Sequence, residues 1–204
     1  MLSVILAATW KPATLTDIRL TDYARDFISQ GIKSGDTVID ATAGNGHDTL
    51  LLAEGVGQSG TVYAFDVQEQ AIRTVRLRLD QAGQLQQLKL VHGGHQTMSQ
   101  HIPRSIHGTI TAIMFNLGYL PGADHQLTTQ TDTTLRALDL ACVLLAPGGK
   151  LSIIAYPGHQ NGKLETQQVQ RWASALTDSA FTVKRLDPAS SNQPSPAWLG
   201  IIKL

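Results

Sequence analysis

One short stretch of this chain strongly constrains how the backbone around it can fold. Residues 40–49 read DATAGNGHDT and directly follow the apolar run Thr37-Val38-Ile39. A strand that turns sharply into a helix needs residues without a Cβ atom, and Gly44 and Gly46 supply them. The helix that begins there presents free backbone N–H groups to a polar ligand. The stretch therefore predicts a strand, a tight glycine turn and a helix whose N-terminus faces a binding site.

The rest of the chain alternates between apolar runs and segments of helical periodicity. Strands are expected at 37–40, 61–66, 88–91, 110–115, 150–156, 181–186 and 198–203, and helices at 19–32, 47–53, 68–82, 131–145 and 164–176. Pro147-Gly148-Gly149 is expected to end the fourth helix. The last two strands follow each other without a helix and should pair antiparallel. The pattern predicts an α/β fold, a doubly wound, mostly parallel seven-stranded sheet with an antiparallel edge hairpin.

Two acidic residues mark the ends of the first two strands. Asp66 follows the glycines by about 20 residues, the distance at which nucleotide-binding folds place the carboxylate that binds ribose. A dinucleotide fingerprint needs a third glycine where Thr49 stands, whereas Asp40 stands four residues before Gly44. This spacing is similar to the first motif of S-adenosylmethionine-dependent methyltransferases, in which Asp40 could accept from the α-ammonium group directly or through water. S-adenosylmethionine is therefore favoured over NAD.

A second polar stretch, residues 116–122 with the sequence NLGYLPG, follows the fourth strand. The amide oxygen of Asn116 can accept hydrogen bonds from an amino group, and the ring of Tyr119 can stack on a base. The stretch resembles the Asn-Pro-Pro-Tyr loop of methyltransferases that act on amino nitrogens, with Leu117-Gly118 in place of the prolines. The alternative is a glycine-proline turn with Tyr119 packed in the core.

Composition limits the remaining classes of function. Lys and Arg together number 16, as do Asp and Glu, so the net charge is zero and a nucleic acid would need a local basic patch. The first ten residues have no basic n-region and are too short to span a bilayer, so a cytoplasmic protein without membrane contact is expected. His92, His95 and His159 have neither a cysteine partner nor an H-E-x-x-H motif, so no metal is expected.

Several longer strings give the chain a specific resemblance. From about Thr16 onward, the chain resembles the bacterial rRNA methylase family. The resemblance is carried by the strings DATAGNGHDTLLLA, VYAFDVQEQAI, MFNLGYLPG and LAPGGKLSIIAYPGHQNGK. The resemblance implies a Rossmann-like class I methyltransferase domain over residues 16–204, after an N-terminal extension at residues 1–15. It also implies methylation of the amine of 5-aminomethyl-2-thiouridine at the tRNA wobble position.

The motifs and the resemblance together give two sets of candidate residues. The expected cofactor-binding residues are Asp40, Thr42, Gly44, Asn45, Gly46, Asp48, Asp66, Val67, Gln68, His95 and Asn116. The expected catalytic residues are Asn116, Tyr119, Tyr156 and His159, with Tyr156 and His159 as candidate general bases. The expected basic patch for tRNA consists of Lys163, Arg171, Lys184 and Arg185.

Other functions stay open at this point. One alternative is a methyltransferase that acts on rRNA or on a small-molecule amine. A different class is an NAD-dependent oxidoreductase, and a third is a nucleotide-binding module without catalysis. The sequence also leaves open whether the protein forms a homodimer.

Overall fold

In the part of the chain that the computed structural model describes, residues 19–118, 128–158, 162–186 and 195–204, seven β-strands form one sheet. They are β1 (Thr37–Asp40), β2 (Thr61–Asp66), β3 (Leu88–His92), β4 (Ile110–Leu117), β5 (Leu145–Ala155), β6 (Phe181–Leu186) and β7 (Ala197–Lys203). Their order is β3-β2-β1-β4-β5-β7-β6, and only the pairs made by β7 are antiparallel. The predicted sheet and its antiparallel edge hairpin are confirmed.

Six α-helices cover the sheet within the same described residues. They are α1 (Leu20–Ser29), α2 (His47–Val56), α3 (Glu69–Gln81), α4 (Met98–His101), α5 (Thr131–Leu144) and α6 (Gly162–Ser174). The sequence did not predict α4, because a single turn is too short to show helical periodicity. None of the helices described is both long and apolar enough to cross a bilayer. The proposed extension at residues 1–15 lies outside the described residues.

The sheet is buried on both faces because neighbouring residues of a strand point to opposite sides. Val38 of β1 belongs to the core that α1, α2 and α3 share with the sheet. Ile39, the next residue, belongs to the core shared with α4, α5 and α6. Burial on both faces explains why β4 is apolar almost throughout, as parallel central strands are.

The Pro147-Gly148-Gly149 segment does not end a helix, contrary to the prediction. Helix α5 passes directly into β5 at Leu145, which pairs with Ile110, and the register shifts before the next pair. Gly148 has a φ of 77°, and a Cβ atom on Gly149 would lie 2.9 Å from the carbonyl oxygen of Ile110. The two glycines therefore form an irregularity inside the strand, which sequence periodicity cannot distinguish from a helix stop.

The carboxyl ends of the parallel strands meet at one edge of the sheet. Asp40 pairs in register with Ala64 and Met114, and Asp66 pairs with His92. The loops after β1, β2, β3, β4 and β5 therefore emerge side by side. Ligands of open α/β sheets bind at this edge, which fixes where the candidate site lies.

Candidate active site

A cavity of about 660 Å³ opens at the carboxyl edge of the sheet, between the loops that follow β1 to β5 and the helix α1. Its walls include many of the residues predicted from sequence: Thr42, Gly44, Asn45, Asp48, Asp66, Val67, Gln68, His95, Asn116 and Tyr156. Asp40 and Gly46 do not line it. Tyr119 and His159 lie outside the described residues, so their predicted roles stay predictions.

The glycine turn after β1 is held in place from two sides. Gly44 donates its N–H to Asp66 Oδ2 at 2.9 Å, and Arg78 Nε donates to the carbonyl oxygen of Asn45 at 2.7 Å. Gly46 has a φ of 76°, and a Cβ atom there would lie 3.2 Å from the Cα atom of Val75 on α3. Glycine at this position therefore allows the turn and the close packing of α2 against α3.

Asp66 organises the turn and faces the cavity. Besides the bond from Gly44, its Oδ1 atom accepts the backbone N–H of Gln68 at 2.9 Å. Each carboxylate oxygen can accept more than one hydrogen bond, so the side chain keeps acceptor capacity for ligand hydroxyls. The carboxylate is thus held rigidly by backbone groups before any ligand arrives, which suits the predicted contact with ribose.

Asp40 has a different role from the predicted ligand contact. Its side chain is fully buried, and its oxygens accept from Thr49 Oγ1 at 2.6 Å and from the N–H of Thr42 at 3.2 Å. Burial, together with the nearby charge of Asp48, raises the pKa of this carboxyl to about 7. Thr49 on α2 covers the tip of the strand. Asp40 therefore ties α2 to β1 and does not reach the cavity.

The raised pKa of Asp40 predicts a loss of stability with rising pH. Between the ordinary pKa of 3.8 and about 7, the folded state holds a proton that the unfolded state has released. The free energy of unfolding should therefore fall across this range, by on the order of 4 kcal/mol in total, and then stay level. Asp40→Asn cannot titrate and is expected to lack this loss. Urea denaturation of both proteins across the range would show it, and parallel pH profiles would contradict it.

His95 is a neutral group in the wall of the cavity. Its ring is buried beside Phe115, with the ring centroids 5.5 Å apart. Burial lowers its pKa to about 4, and a hydrogen bond to the backbone of Ala41 opposes this shift only in part. One ring nitrogen therefore donates to Ala41, and the other is left as an acceptor near neutral pH. Such a group can contact a cofactor without adding charge.

The amide of Asn116 lies at the end of β4, where the predicted substrate loop begins. Its backbone N–H donates to Thr42 Oγ1 at 2.7 Å, and its side-chain Nδ2 donates to Asp48 Oδ2 at 2.6 Å. The side-chain oxygen Oδ1 is buried and has no hydrogen-bond partner within the described residues. A buried acceptor without a partner costs about 1–3 kcal/mol, so a ligand that donates to Oδ1 gains this energy.

Tyr156 lines the cavity but is poorly suited to act as the general base. Burial, followed by the charge of Asp48, raises the pKa of its hydroxyl above the ordinary value of 10. The phenol therefore keeps its proton near neutral pH and can donate a hydrogen bond rather than remove a proton. Its backbone N–H donates to the carbonyl oxygen of Leu117 at 3.1 Å, which fixes the residue beside the end of β4.

The described residues contain no group of three or more His, Cys, Asp or Glu side chains that could hold a metal ion. His92 and His95 form hydrogen bonds with different backbone groups. His92 Nε2 bonds the carbonyl oxygen of Val67 at 3.0 Å, whereas His95 bonds the backbone of Ala41. This hydrogen bond holds the backbone at Val67, a residue that is 61% exposed and lines the cavity. His159, the third predicted histidine, lies outside the described residues.

Sequence reasoning missed two parts of the cavity wall. The first is the face of α1 formed by Thr21 and Arg25, where Arg25 Nε donates to Asp48 Oδ1 at 2.6 Å. Their spacing of four residues on one helix face was the available signal, but it does not show which element the face meets. The second is the segment 128–130 with Thr133, which returns from the loop after β4.

Glu165 anchors this returning segment from α6. The carboxylate is 1% exposed, and its two oxygens accept from Thr129 Oγ1 and Thr134 Oγ1, each at 2.6 Å. Thr129 also donates its N–H to the carbonyl oxygen of Gly118 at 2.9 Å. Both ends of the loop between β4 and α5 are therefore joined to each other and to α6.

The fold and the site together define a class of protein. A seven-stranded sheet of this order, with a glycine turn after β1, an acid after β2 and a cavity across the strand ends, is that of a Rossmann-like class I methyltransferase. A solved structure of a putative rRNA methylase from Clostridium thermocellum is 36% identical, covers 93% of this chain and 100% of its own, and superposes with a TM-score of 0.87. A putative methyltransferase from Streptococcus mutans, solved in complex with SAH, is 36% identical over 92% and 99% of the two chains, with a TM-score of 0.82.

A family model confirms the resemblance read from the sequence motifs. The family described as "Putative rRNA methylase" matches residues 62–202, and the chain belongs to this family. The chain is also 40% identical over 166 residues to a chloroplastic tRNA (mnm(5)s(2)U34)-methyltransferase of Arabidopsis thaliana. That match covers 78% of this chain and 60% of the plant protein, so the chain spans less than two thirds of this relative.

Proposed function

We propose that this protein is an S-adenosylmethionine-dependent RNA N-methyltransferase that methylates the amine of 5-aminomethyl-2-thiouridine at the tRNA wobble position. The observation that carries the proposal is Asn116, which lines the cavity and whose buried amide oxygen has no hydrogen-bond partner within the described residues. The name of the Arabidopsis relative, a tRNA (mnm(5)s(2)U34)-methyltransferase, supports tRNA as the substrate. The family description favours rRNA, which is the second candidate substrate.

The residues around the cavity fit S-adenosylmethionine. Asp66 offers a fixed carboxylate for the ribose hydroxyls, and Val67, Gln68 and His95 offer an apolar and neutral polar wall for the base. SAH, the demethylated form of this cofactor, is present in the Streptococcus structure. The third glycine of a dinucleotide fingerprint is absent, since Thr49 stands there and bonds Asp40. When bound, S-adenosylmethionine supplies an electrophilic methyl group.

The chain's own residues bind and orient the acceptor. An alkyl amine is a nucleophile only when neutral, so the site must favour the unprotonated form. Asn116 Oδ1 can accept one N–H bond of the amine and thereby aim its lone pair, while the hydroxyl of Tyr156 keeps its own proton near neutral pH. Positioning of this kind supplies much of the rate of an in-line displacement. No described residue of the cavity is required as an obligatory base in this scheme.

The predicted basic patch is divided by the sheet. Lys184 and Arg185 are adjacent in β6 and point to opposite faces. Arg185 lines a groove with Arg171 of α6, whereas Lys184 lies near Lys150, whose ammonium contacts the ring of Phe27 on α1. The four predicted cations therefore do not form one patch, and tRNA is proposed to contact the Arg171 and Arg185 face.

We predict that the protein methylates tRNA carrying the aminomethyl group far better than the free modified nucleoside. Phosphate contacts made by the groove of Arg171 and Arg185 would hold the RNA, with binding that weakens as salt rises by a slope of about 0.7–0.9 per phosphate. Purified tRNA, the nucleoside and rRNA would each be incubated with S-adenosylmethionine, and the products identified by mass spectrometry of nucleosides. Equal methylation of nucleoside and tRNA would contradict an RNA substrate.

Charge-reversal variants can show which face of the sheet binds the tRNA. Arg171→Glu and Arg185→Glu are expected to weaken tRNA binding and reduce its salt dependence, with the affinity for S-adenosylmethionine unchanged. Lys89→Glu, an exposed residue of β3 at the opposite edge of the sheet, is the matched control. A larger loss of tRNA affinity in Lys184→Glu than in the two arginine variants would show that the RNA binds the face of the sheet that α1 covers. Cytoplasmic location stays a prediction, and the question of a homodimer stays open.

A further inference from the structure

Three side chains from three separate elements form a continuous chain of hydrogen bonds beside the cavity. Arg25 Nε on α1 donates to Asp48 Oδ1 at 2.6 Å, and Asn116 Nδ2 at the end of β4 donates to Asp48 Oδ2 at 2.6 Å. Asp48 stands in the first turn of α2, with its side chain 11% exposed and that of Arg25 32% exposed. Each oxygen of the carboxylate therefore has one partner, and the pair is shielded from most solvent.

This arrangement fixes which way the amide of Asn116 points. A carboxylate only accepts hydrogen bonds, so the NH₂ group of Asn116 must face Asp48 and the oxygen must face away from it. The guanidinium of Arg25 compensates the charge of the buried carboxylate and fixes its plane. The result is the buried Oδ1 atom that lacks a partner within the described residues. Without Asp48, the amide could turn over and present its NH₂ group instead.

We propose that Asp48 and Arg25 are positioning residues that hold Asn116 in the one orientation in which its oxygen accepts an N–H of the acceptor amine. This inference rests on the proposed function, because it requires an acceptor that carries N–H bonds. The predicted role of Asp48 as a cofactor contact is the alternative to this inference. In this inference the pair affects turnover through the amide that it orients.

The first test compares turnover with cofactor affinity. Asp48→Asn keeps the size of the side chain but offers an NH₂ group that can bond Asn116 Oδ1 and occupy it. Turnover on the amine acceptor is expected to fall by about 30-fold, as for the loss of one hydrogen bond, with the affinity for S-adenosylmethionine within about threefold. Arg25→Met should give a smaller loss of the same kind. Asp26→Asn, the same change at an exposed position of α1, is the matched control and should behave as the unchanged protein.

A double variant shows whether the effect passes through Asn116. If it does, Asp48→Asn should cost almost nothing further in an Asn116→Ala background, because the amide that it orients is gone. Losses that multiply in the double variant would overturn the inference. A loss of cofactor affinity that matches the loss of turnover in Asp48→Asn would also overturn it, and would restore the cofactor role.

The orientation can also be measured without any substrate. In heteronuclear NMR spectra, the side-chain NH₂ signal of Asn116, assigned by its absence in Asn116→Ala, should be protected from exchange and should lose that protection in Asp48→Asn. An unchanged signal would contradict the inference even if turnover fell. Failure of the proposed function would be recognised separately, because the unchanged protein would then methylate no amine-bearing RNA while the NMR result still stood.

Discussion

Substituting alanine for Asn116 is expected to lower turnover on the amine acceptor by about 100-fold, with S-adenosylmethionine affinity changed by less than about threefold. The substitution removes the buried Oδ1 acceptor and also the NH₂ group that bonds Asp48. The backbone N–H bond to Thr42 is unaffected, so the end of β4 should keep its place. Single-turnover methylation with saturating cofactor measures the first quantity, and calorimetric titration measures the second.

The control for this prediction is the free energy of unfolding of the Asn116→Ala variant, compared with that of the unchanged protein. Urea denaturation should show that Asn116→Ala folds normally, since the change lies on the wall of an open cavity. If cofactor affinity fell in proportion to turnover, the amide would belong to the cofactor site. The proposal that Asn116 acts on the acceptor would then be wrong.

Asp66→Ala is expected to have the opposite profile, with cofactor affinity reduced by about tenfold or more. A charged acceptor for ribose hydroxyls contributes about 1.5–3 kcal/mol, and the alanine variant also releases the N–H groups of Gly44 and Gln68. Calorimetric titration with S-adenosylmethionine gives the affinity. Asp66→Asn tests how much of the loss is due to charge, and Asp80→Ala, an exposed residue of α3, is the matched control.

Titration of the unchanged protein with NAD is the companion experiment. The residues of the cavity predict much tighter binding of S-adenosylmethionine than of NAD, because the dinucleotide fingerprint is incomplete at Thr49. Preferential binding of NAD, together with hydride transfer in a dye-coupled assay, would place the protein among the oxidoreductases. Unchanged affinity of Asp66→Ala for S-adenosylmethionine would show that Asp66 does not bind the ribose.

The parts of the fold that sequence reasoning predicted correctly are those that depend on neighbouring residues. The turn at Gly44 and Gly46 follows from the local need for backbone freedom, and the sheet follows from the length and apolar character of its strands. The placement of Asp66 beside the turn could also be predicted, because the carboxyl ends of adjacent parallel strands lie at the same edge. These arguments need no knowledge of side-chain packing.

The parts that could not be predicted depend on which surfaces meet. Arg25 and Asp48 are 23 residues apart, and Asp48 and Asn116 are 68 apart, so no local pattern indicates that they share hydrogen bonds. The sequence showed that Asp40 ends a strand but not that Thr49 covers it. An acid at a strand tip has the same sequence signature whether it is buried or faces a ligand.

The anchoring of the loop after β4 has a consequence for how such a protein can change over evolution. Gly118 and Thr129 are bonded to each other, and Glu165 fastens Thr129 and Thr134 to α6. Because the two ends are held at a fixed separation, the entropic cost of closing the segment between them grows only slowly with its length. A segment tied at both ends in this way can change in length during evolution while the strand ends that form the cavity keep their places.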